Sequence, residues 1–376
     1  MAVLRVRPMG VDHLVWCVHG LDAPARLFEA MGFTPTPRAV HPWGTANRLI
    51  VLDGSFIELL EVAEVALIPP HLPHRFSFGA YARDFAARRE GLAMLALQTT
   101  DALATREDWA ERAVSDYEAF HFARLARLPD GTSGRVAFTL AFATTSAVPE
   151  IAWFACEQHE RETFARAAQR PHANGGGRLV EVLIAAPRPH DLHPFLEALW
   201  DSRGRVNAVR DGLLVRTPHG LIRVVERATL AERWPGAVWR NPPEGPFMAG
   251  LRLRVRDLDA AVRGLALAGL GAPVVDGRIR LLPQLAHNVL LELEPWRARG
   301  SERQDPGPGA VELEPVEPPV AVPVGGAERR VASGGELGAV EPPVAVPVER
   351  AELPVERRQR RRREVPRLGQ RRERGR

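Results

Sequence analysis

The sequence predicts an α+β protein of four βαβββ modules that pair into curved mixed sheets around a cavity, followed by a disordered C-terminal tail. Three observations support this fold class. One apolar strand, one helix and three further strands recur in the same order four times before residue 300. Each copy has an Asp-Gly pair, typical of tight turns, between predicted strands. After Trp296 the composition changes to mostly Pro, Gly, Glu, Val and Arg.

Module one shows the order most clearly. Its predicted strands are the apolar or alternating runs Val11–Val18, Phe33–Ala39, Ala46–Asp53 and Ser55–Val62. Between the first two strands, the spacing of Leu27 and Met31 predicts a helix from Ala23 to Met31. Asp22 is its expected N-cap and Gly32 its end.

The other three modules repeat this order with altered lengths. Helices are expected from Asp101 to Val114, Asp191 to Asp201 and Asp257 to Ala268. The first strands of modules two, three and four are expected at Leu92–Gln98, Leu179–Ala186 and Phe247–Val255. We therefore divide the chain into 1–177, which holds modules one and two, 178–299, which holds the second pair, and the tail 300–376.

Composition predicts a cytoplasmic protein. The chain is 45% hydrophobic and 26% charged, and it has no apolar run near the ~20 residues that a membrane span needs. No apolar signal segment follows the N-terminal arginines. Cys17 and Cys156 are the only cysteines, and both lie in apolar strand-like runs typical of buried thiols. We expect no membrane partner.

The basic pI of 9.9 arises from the end of the chain. Residues 1–300 carry 35 arginines against 33 acidic residues, whereas 357–376 carry 11 against two. The proline-rich tail favours extended chain over packed structure. Its arginine-rich end is the one segment predicted to neutralise phosphates, so we expect nucleic-acid binding to be weak and confined to it.

Several motifs in the first 185 residues resemble known sequences. Gly10–Val15, Leu21–Ala23 and Met31–Phe33 look like the opening of glyoxalase-like domains of the vicinal oxygen chelate superfamily. His41–Arg48 and Phe56–Leu60 resemble the rest of that module. Phe154–His159 and His172–Gly175 resemble the close of the second module, while residues 186–295 agree only in pattern.

The resemblance implies a divalent metal, bound by side chains on the first and fourth strands of paired modules, that chelates two neighbouring oxygens of a substrate. His13 on the first strand and Glu58 on the fourth match this pattern. An imidazole and a carboxylate suit Zn, Fe(II), Mn, Co or Ni. Glu58 is also the candidate catalytic residue, because a carboxylate in an apolar strand is costly unless it is paired or coordinated.

Module two departs from the family pattern. Its first strand, Leu92–Leu97, has no ligand where a second histidine would be expected. We therefore consider His159, just after the fourth strand, as the third ligand beside His13 and Glu58. The polar side chains of the resembling loops are the predicted substrate-binding residues: His41, Asn47, Arg48, His172 and Asn174. Asn174–Gly177 lacks the lysine and glycine spacing of a phosphate loop, so no nucleotide cofactor is expected.

Two kinds of function remain open. The first is a metal-dependent lyase, isomerase or dioxygenase that acts on a small oxygen-rich molecule. The second is a non-catalytic protein that binds small molecules, as drug-sequestering relatives do, and has a degenerate metal site. Four modules in one chain are compatible with a monomer or a homodimer.

Overall fold

The structure, a computed structural model, describes residues 10–128, 130–200 and 205–296 of the 376-residue chain. The tail predicted for 300–376, with its arginine-rich end, lies outside the described residues. No helix among the described residues is long and apolar enough to cross a membrane.

The four predicted modules are present. Modules one and two contain the strands β1 (Val11–Cys17), β2 (Ala39–Val40), β3 (Thr45–Leu52), β4 (Ser55–Val62), β5 (Gly91–Gln98), β6 (Phe120–Arg127), β7 (Ser133–Ala143) and β8 (Ala152–Gln158). Modules three and four contain β9 (Gly177–Ala186), β10 (Val206–Val209), β11 (Gly212–Arg216), β12 (Leu221–Glu226), β13 (Phe247–Val255), β14 (Val274–Val275), β15 (Arg278–Leu281) and β16 (Leu290–Pro295). The described residues form the α-helices α1 (Asp22–Ala30), α2 (Phe78–Ala86), α3 (Ala102–Glu111), α4 (Arg161–Ala168), α5 (His193–Trp200), α6 (Arg227–Arg233) and α7 (Leu258–Leu267).

Each pair of modules forms one mixed eight-stranded sheet. The first sheet has the order β2-β3-β4-β1-β5-β8-β7-β6, and the second repeats it as β10-β11-β12-β9-β13-β16-β15-β14. The first strands of the two modules lie antiparallel at the centre, and each is flanked by the parallel fourth strand of its own module. First-strand and fourth-strand side chains therefore meet in the middle of each sheet, which confirms the predicted fold class.

Module one differs from its prediction in two places. The strand predicted at Phe33–Ala39 is reduced to β2, because Pro35 and Pro37 supply no amide hydrogens for a sheet ladder. Asp22 is the first residue of α1 and not its cap, since the N-cap is Leu21 and no side chain caps the helix. By contrast, Asp101, at which the module-two helix was expected to begin, is the N-cap of α3 and accepts a hydrogen bond from the Ala104 amide.

Three helices were not predicted from the sequence. These are α2, between modules one and two, α4, after β8, and α6, after β12. Each lies outside the recurring βαβββ order, so the comparison of modules gives no signal for them. Helix α2 packs Phe78 and Phe85 into the apolar cluster on the open face of the first sheet.

The two sheets share one apolar core. It contains side chains of both sheets and of α1, α3, α5 and α7. The halves approach closely at several points. For example, the Trp109 indole donates a hydrogen bond to the Leu199 carbonyl at 3.1 Å, and Gly264 of α7 packs on the Ala30 carbonyl, where an added Cβ would lie 2.2 Å from the oxygen. The division at residue 177 stays a prediction, because this core continues across it.

Asn174 fixes the segment between modules two and three. Its side chain is fully buried, donates to the Met31 carbonyl at 2.8 Å and accepts from the Gly176 amide at 2.9 Å. Gly32, with φ +82°, lies so close that an added Cβ would be 2.9 Å from the Asn174 Cβ. The side-chain amide of Asn174 therefore connects the end of α1 to the start of the second half of the chain.

Replacing Asn174 with Ala should lower the free energy of unfolding by about 1–3 kcal/mol, since the Met31 carbonyl and the Gly176 amide would both lose buried partners. Urea unfolding followed by circular dichroism measures this change. Gln169→Ala, at an exposed amide nearby, is the control and should be close to neutral. Equal stability of Asn174→Ala and wild type would contradict the structural role.

Candidate functional site

A small cavity lies on the open face of the first sheet. His13 enters it from β1, Glu58 from β4, and Asn47 from β3. Alternation along each strand places these side chains on one face, and the register pairs His13 with Phe56 and Leu49 with Glu58. The cavity has a volume of about 50 Å³.

His13 is held in one orientation by its neighbours. Its Nδ1 lies 2.6 Å from the Asp12 carboxylate, which also accepts hydrogen bonds from the Gln158 amide at 3.0 and 3.2 Å. The ring stacks on Phe56 with centroids 4.3 Å apart. An ionised Asp12 requires the hydrogen on Nδ1, so a neutral His13 directs its Nε2 lone pair into the cavity.

Glu58 is a buried carboxylate with polar partners on each oxygen. Its Oε1 accepts a hydrogen bond from the Asn47 amide at 2.6 Å and lies 4.0 Å from Nε2 of His41. Its Oε2 lies 3.9 Å from Nε2 of His13. Glu58 is therefore the group on which His13, His41 and Asn47 converge.

His41 is buried and kept neutral. Its ring stacks on Trp43 with centroids 4.6 Å apart, and its Nδ1 lies 2.9 Å from the Thr45 hydroxyl. Burial lowers the pKa of His41 to about 4, although the nearby charge of Glu58 opposes this shift; the charge of Arg124 adds to it. At neutral pH the imidazole is therefore an uncharged hydrogen-bonding group beside Glu58.

Module two lines the cavity mainly with apolar side chains. The position beside His13 on β5 is Ala96, and the next position on β8 is Phe154. Phe122 and Phe138 complete the wall from β6 and β7. Arg124 of β6 is the exception, because its guanidinium lines the cavity and has a buried Nε without a hydrogen-bond partner. Arg124 was not predicted as a site residue, although its alternation with the aromatic Phe122 along β6 was an available signal.

Two predicted site residues point away from the cavity. His159 lies in a separate surface groove, where its Nε2 is 2.7 Å from the Thr139 hydroxyl and its Nδ1 is 3.5 Å from Glu157. On β8, alternation puts Cys156 and Gln158 on the cavity side and Glu157 on the other. The structure therefore does not bring His159 together with His13 and Glu58. Arg48 likewise leaves β3 on the face opposite Asn47, and it lies 3.6 Å from Asp22 of α1.

His172 and Asn174 also lie away from the cavity lining. The His172 Nδ1 accepts a hydrogen bond from the Thr34 amide at 2.9 Å, and its Nε2 donates to the Val51 carbonyl at 2.8 Å. The polar side-chain atoms of His172 and Asn174 are thus occupied by hydrogen bonds to backbone groups between the modules. Of the predicted substrate-binding residues, His41 and Asn47 are thus the two that the structure brings to the cavity.

One group of potential metal ligands was not predicted as a set. Ligand atoms of Asp12, His13 and Cys156 all lie within 4.8 Å of one another. The 2.6 Å contact between Asp12 and His13 is a hydrogen bond and leaves no room for an ion between them. Burial raises the pKa of the Cys156 thiol well above its ordinary value. We therefore assign Asp12 as the support of His13, and Cys156 as a protonated wall residue.

A wider groove adjoins the cavity. It has a volume of about 420 Å³ and shares Phe56, Cys156 and Phe164 with the cavity. Its polar side chains include Gln98, Gln158 and Arg161 from module two and His219 from module three. Part of this groove is thus formed by the second half of the chain.

Sequence comparison places this architecture in a known family. A sequence profile described as a glyoxalase-like domain matches residues 11–200. The chain belongs to this glyoxalase-like family of the vicinal oxygen chelate superfamily. No curated protein sequence matches the chain.

Solved structures resemble the glyoxalase-like chain in fold. A hypothetical protein from Staphylococcus aureus matches with a TM-score of 0.53 and 13% identity, over 76% of this chain and 99% of its own. A mutant 4-hydroxymandelate synthase from Streptomyces coelicolor matches with a TM-score of 0.45 and 12% identity, over 77% and 93%. A Mn(II)-bound glyoxalase from Novosphingobium aromaticivorans gives 0.43 and 12%, over 77% and 83%.

The depressed pKa of His41 predicts a pH effect on the stability of the metal-free protein. Below pH 6.5 the unfolded chain binds a proton at this residue, whereas the folded protein does so only near pH 4. The free energy of unfolding should therefore fall by up to about 3 kcal/mol between pH 6.5 and pH 4 through this residue. Urea unfolding over this range should show a shallower loss for His41→Gln, with the exposed His190→Gln as control. Parallel profiles for His41→Gln and wild type would contradict the assignment.

Proposed function

We propose that the cavity of the first sheet binds a small oxygen-rich molecule beside a divalent cation and supports lyase, isomerase or dioxygenase-type chemistry. Membership of the glyoxalase-like family supports the class of site, and the convergence of His13, His41 and Asn47 on Glu58 supports its position. The second sheet and the tail have no part in this proposal beyond the contribution of His219 to the adjoining groove.

The orientation of His13 is the observation that carries the proposal. Asp12 holds Nδ1, so the free Nε2 faces the Glu58 carboxylate at 3.9 Å. A histidine that binds a metal through one nitrogen commonly donates its other ring hydrogen to a carboxylate. An imidazole nitrogen and a carboxylate also form a donor set suited to Zn, Fe(II), Mn, Co or Ni. The residues present therefore fit a divalent cation held by His13 and Glu58.

His41 replaces His159 as the proposed third protein ligand. It is neutral at pH 7, and its Nε2 lies 4.0 Å from the Glu58 carboxylate. The Asn47 amide lies between the two groups, 3.4 Å from the same Nε2. His41 can thus act either as a ligand or as a hydrogen-bonding partner of the bound molecule, and Asn47 sets the position of the carboxylate in both cases.

Proton transfer and the exclusion of water are assigned to side chains of this chain. A bound divalent cation would supply Lewis acidity to the oxygens of the molecule. When Oε2 of Glu58 does not hold the cation, it accepts or returns a proton of the bound molecule, while Asn47 fixes Oε1. Phe122, Phe138 and Phe154 exclude water around this carboxylate and strengthen its electrostatic interactions.

Metal content of the purified protein tests this proposal. After reconstitution with Zn, Fe(II), Mn, Co or Ni, we expect about one ion per wild-type chain by mass spectrometry. His13→Ala and Glu58→Ala should each lose it, and Asp12→Asn should weaken binding about 10–100-fold by removing the support of the imidazole.

His159→Ala is the matched control. It removes a histidine that the structure places in another groove, so metal content should stay at the wild-type level. Loss of the ion in His159→Ala, or its retention in His13→Ala, would overturn the proposed ligand set.

A second function is favoured by one observation. Ala96 and Phe154 leave the module-two side of the cavity without ligands, which fits a non-catalytic protein that binds a small molecule without metal. Under this proposal, wild-type protein stays metal-free after reconstitution with all five ions. It still gains thermal stability when the right ligand is added, and His13→Ala affects that gain only by altering the cavity wall.

A further inference from the structure

The cavity is lined by Arg124, whose buried Nε has no hydrogen-bond partner among the described residues. We propose that Arg124 is the anion-binding residue of this site and that its ligand is a short 2-hydroxy carboxylic acid. This inference rests on the proposed function, because it names the class of molecule that the His13–Glu58 cavity binds.

Arg124 reaches the cavity through the register of its strand. It lies on β6 two residues after Phe122, and both side chains line the cavity with His13 and Glu58. The β6–β7 register sets Phe122 beside Phe138 and Arg124 beside Val136. The guanidinium thus lies among apolar side chains, on the wall formed by module two.

The Nε of Arg124 is buried and makes no hydrogen bond within the described residues. Burial lowers the pKa of this guanidinium, and Glu58 opposes that shift through its charge. A buried N–H donor without a bonded partner is costly, and arginine is suited to pair with a carboxylate through two parallel hydrogen bonds. These features fit a ligand that brings its own carboxylate.

The unpartnered Oδ1 of Asn47 indicates a second polar group of the ligand, besides the carboxylate. Asn47 donates through Nδ2 to Glu58 at 2.6 Å, and its buried Oδ1 has no partner. The opposite orientation of the amide would set its oxygen against the carboxylate, so Oδ1 is the free acceptor. A hydroxyl group satisfies this acceptor, whereas a keto oxygen does not. The ligand therefore carries a hydroxyl near its carboxylate.

Cavity size and charge restrict the ligand further. The volume of about 50 Å³ has room for about four water molecules, comparable to glycolate or lactate. Glu58 lines the same cavity as Arg124, and a divalent cation beside Glu58 would offset the repulsion between its carboxylate and an acidic ligand. Affinity for the acid should therefore depend on the cation.

Calorimetric titration of cation-loaded protein tests the proposal. Glycolate and lactate should bind to wild type, and the neutral amides glycolamide and lactamide should bind at least about 10-fold more weakly. Arg124→Gln should lose about 10–100-fold in affinity for the acids, change little for the amides and keep its metal content. Arg127→Gln, an exposed arginine of the same strand, is the matched control and should bind like wild type.

A stability measurement separates a binding role from a structural one. Because Arg124 has no bonded partner at Nε, metal-free Arg124→Gln should melt no lower than wild type. A clear decrease in Tm, or equal binding of acids and amides by wild type, would overturn the assignment of Arg124. Failure of wild type to take up any cation would instead overturn the proposed function, so the two failures are distinguishable.

Discussion

The first sheet is organised around one buried carboxylate. Glu58 lies in a strand flanked by Ile57 and Leu59, where an unpaired charge would be strongly destabilising. The structure satisfies it with the Asn47 amide on Oε1 and places the imidazoles of His13 and His41 about 4 Å away. Asp12, Thr45 and Gln158 then orient these groups in turn. The polar network of the cavity thus follows from keeping one carboxylate buried in an otherwise apolar wall.

On the corresponding face of the second sheet, buried carboxylates are paired with arginines. There Glu292 is buried, but it accepts hydrogen bonds from Arg252, Arg280 and Trp234 at 2.9–3.2 Å. Glu181 pairs with Arg223 at 3.0 Å. These carboxylates are satisfied within the protein, whereas Arg124 and Asn47 of the first sheet retain unpartnered atoms. The contrast supports a ligand in the first sheet and a structural role for the ion pairs in the second.

The two modules of the first sheet contribute unequally to the cavity. Module one supplies His13, His41, Asn47 and Glu58, while module two supplies mostly aromatic walls. Such an arrangement combines a compact polar centre with surroundings of low polarity, in which hydrogen bonds and charges act more strongly than in water. The adjoining groove, with Arg161 and His219, is wider than the cavity and opens beside this polar centre.

The sequence by itself determined the four modules, and the family resemblance selected His13 and Glu58, whose side chains line one cavity in the structure. Strand alternation, Asp-Gly turns and helix caps are local, and symmetry between modules fixes which strands lie at the centre of a sheet. It did not determine which other polar residues join them. His159 lies just beyond β8 in another groove, and Arg48 leaves β3 on the face opposite the cavity. Asn174 and His172 bond to distant backbone, and Arg124 enters from the edge strand β6. Only the tertiary structure decided these positions, because they depend on the register between strands far apart in the chain.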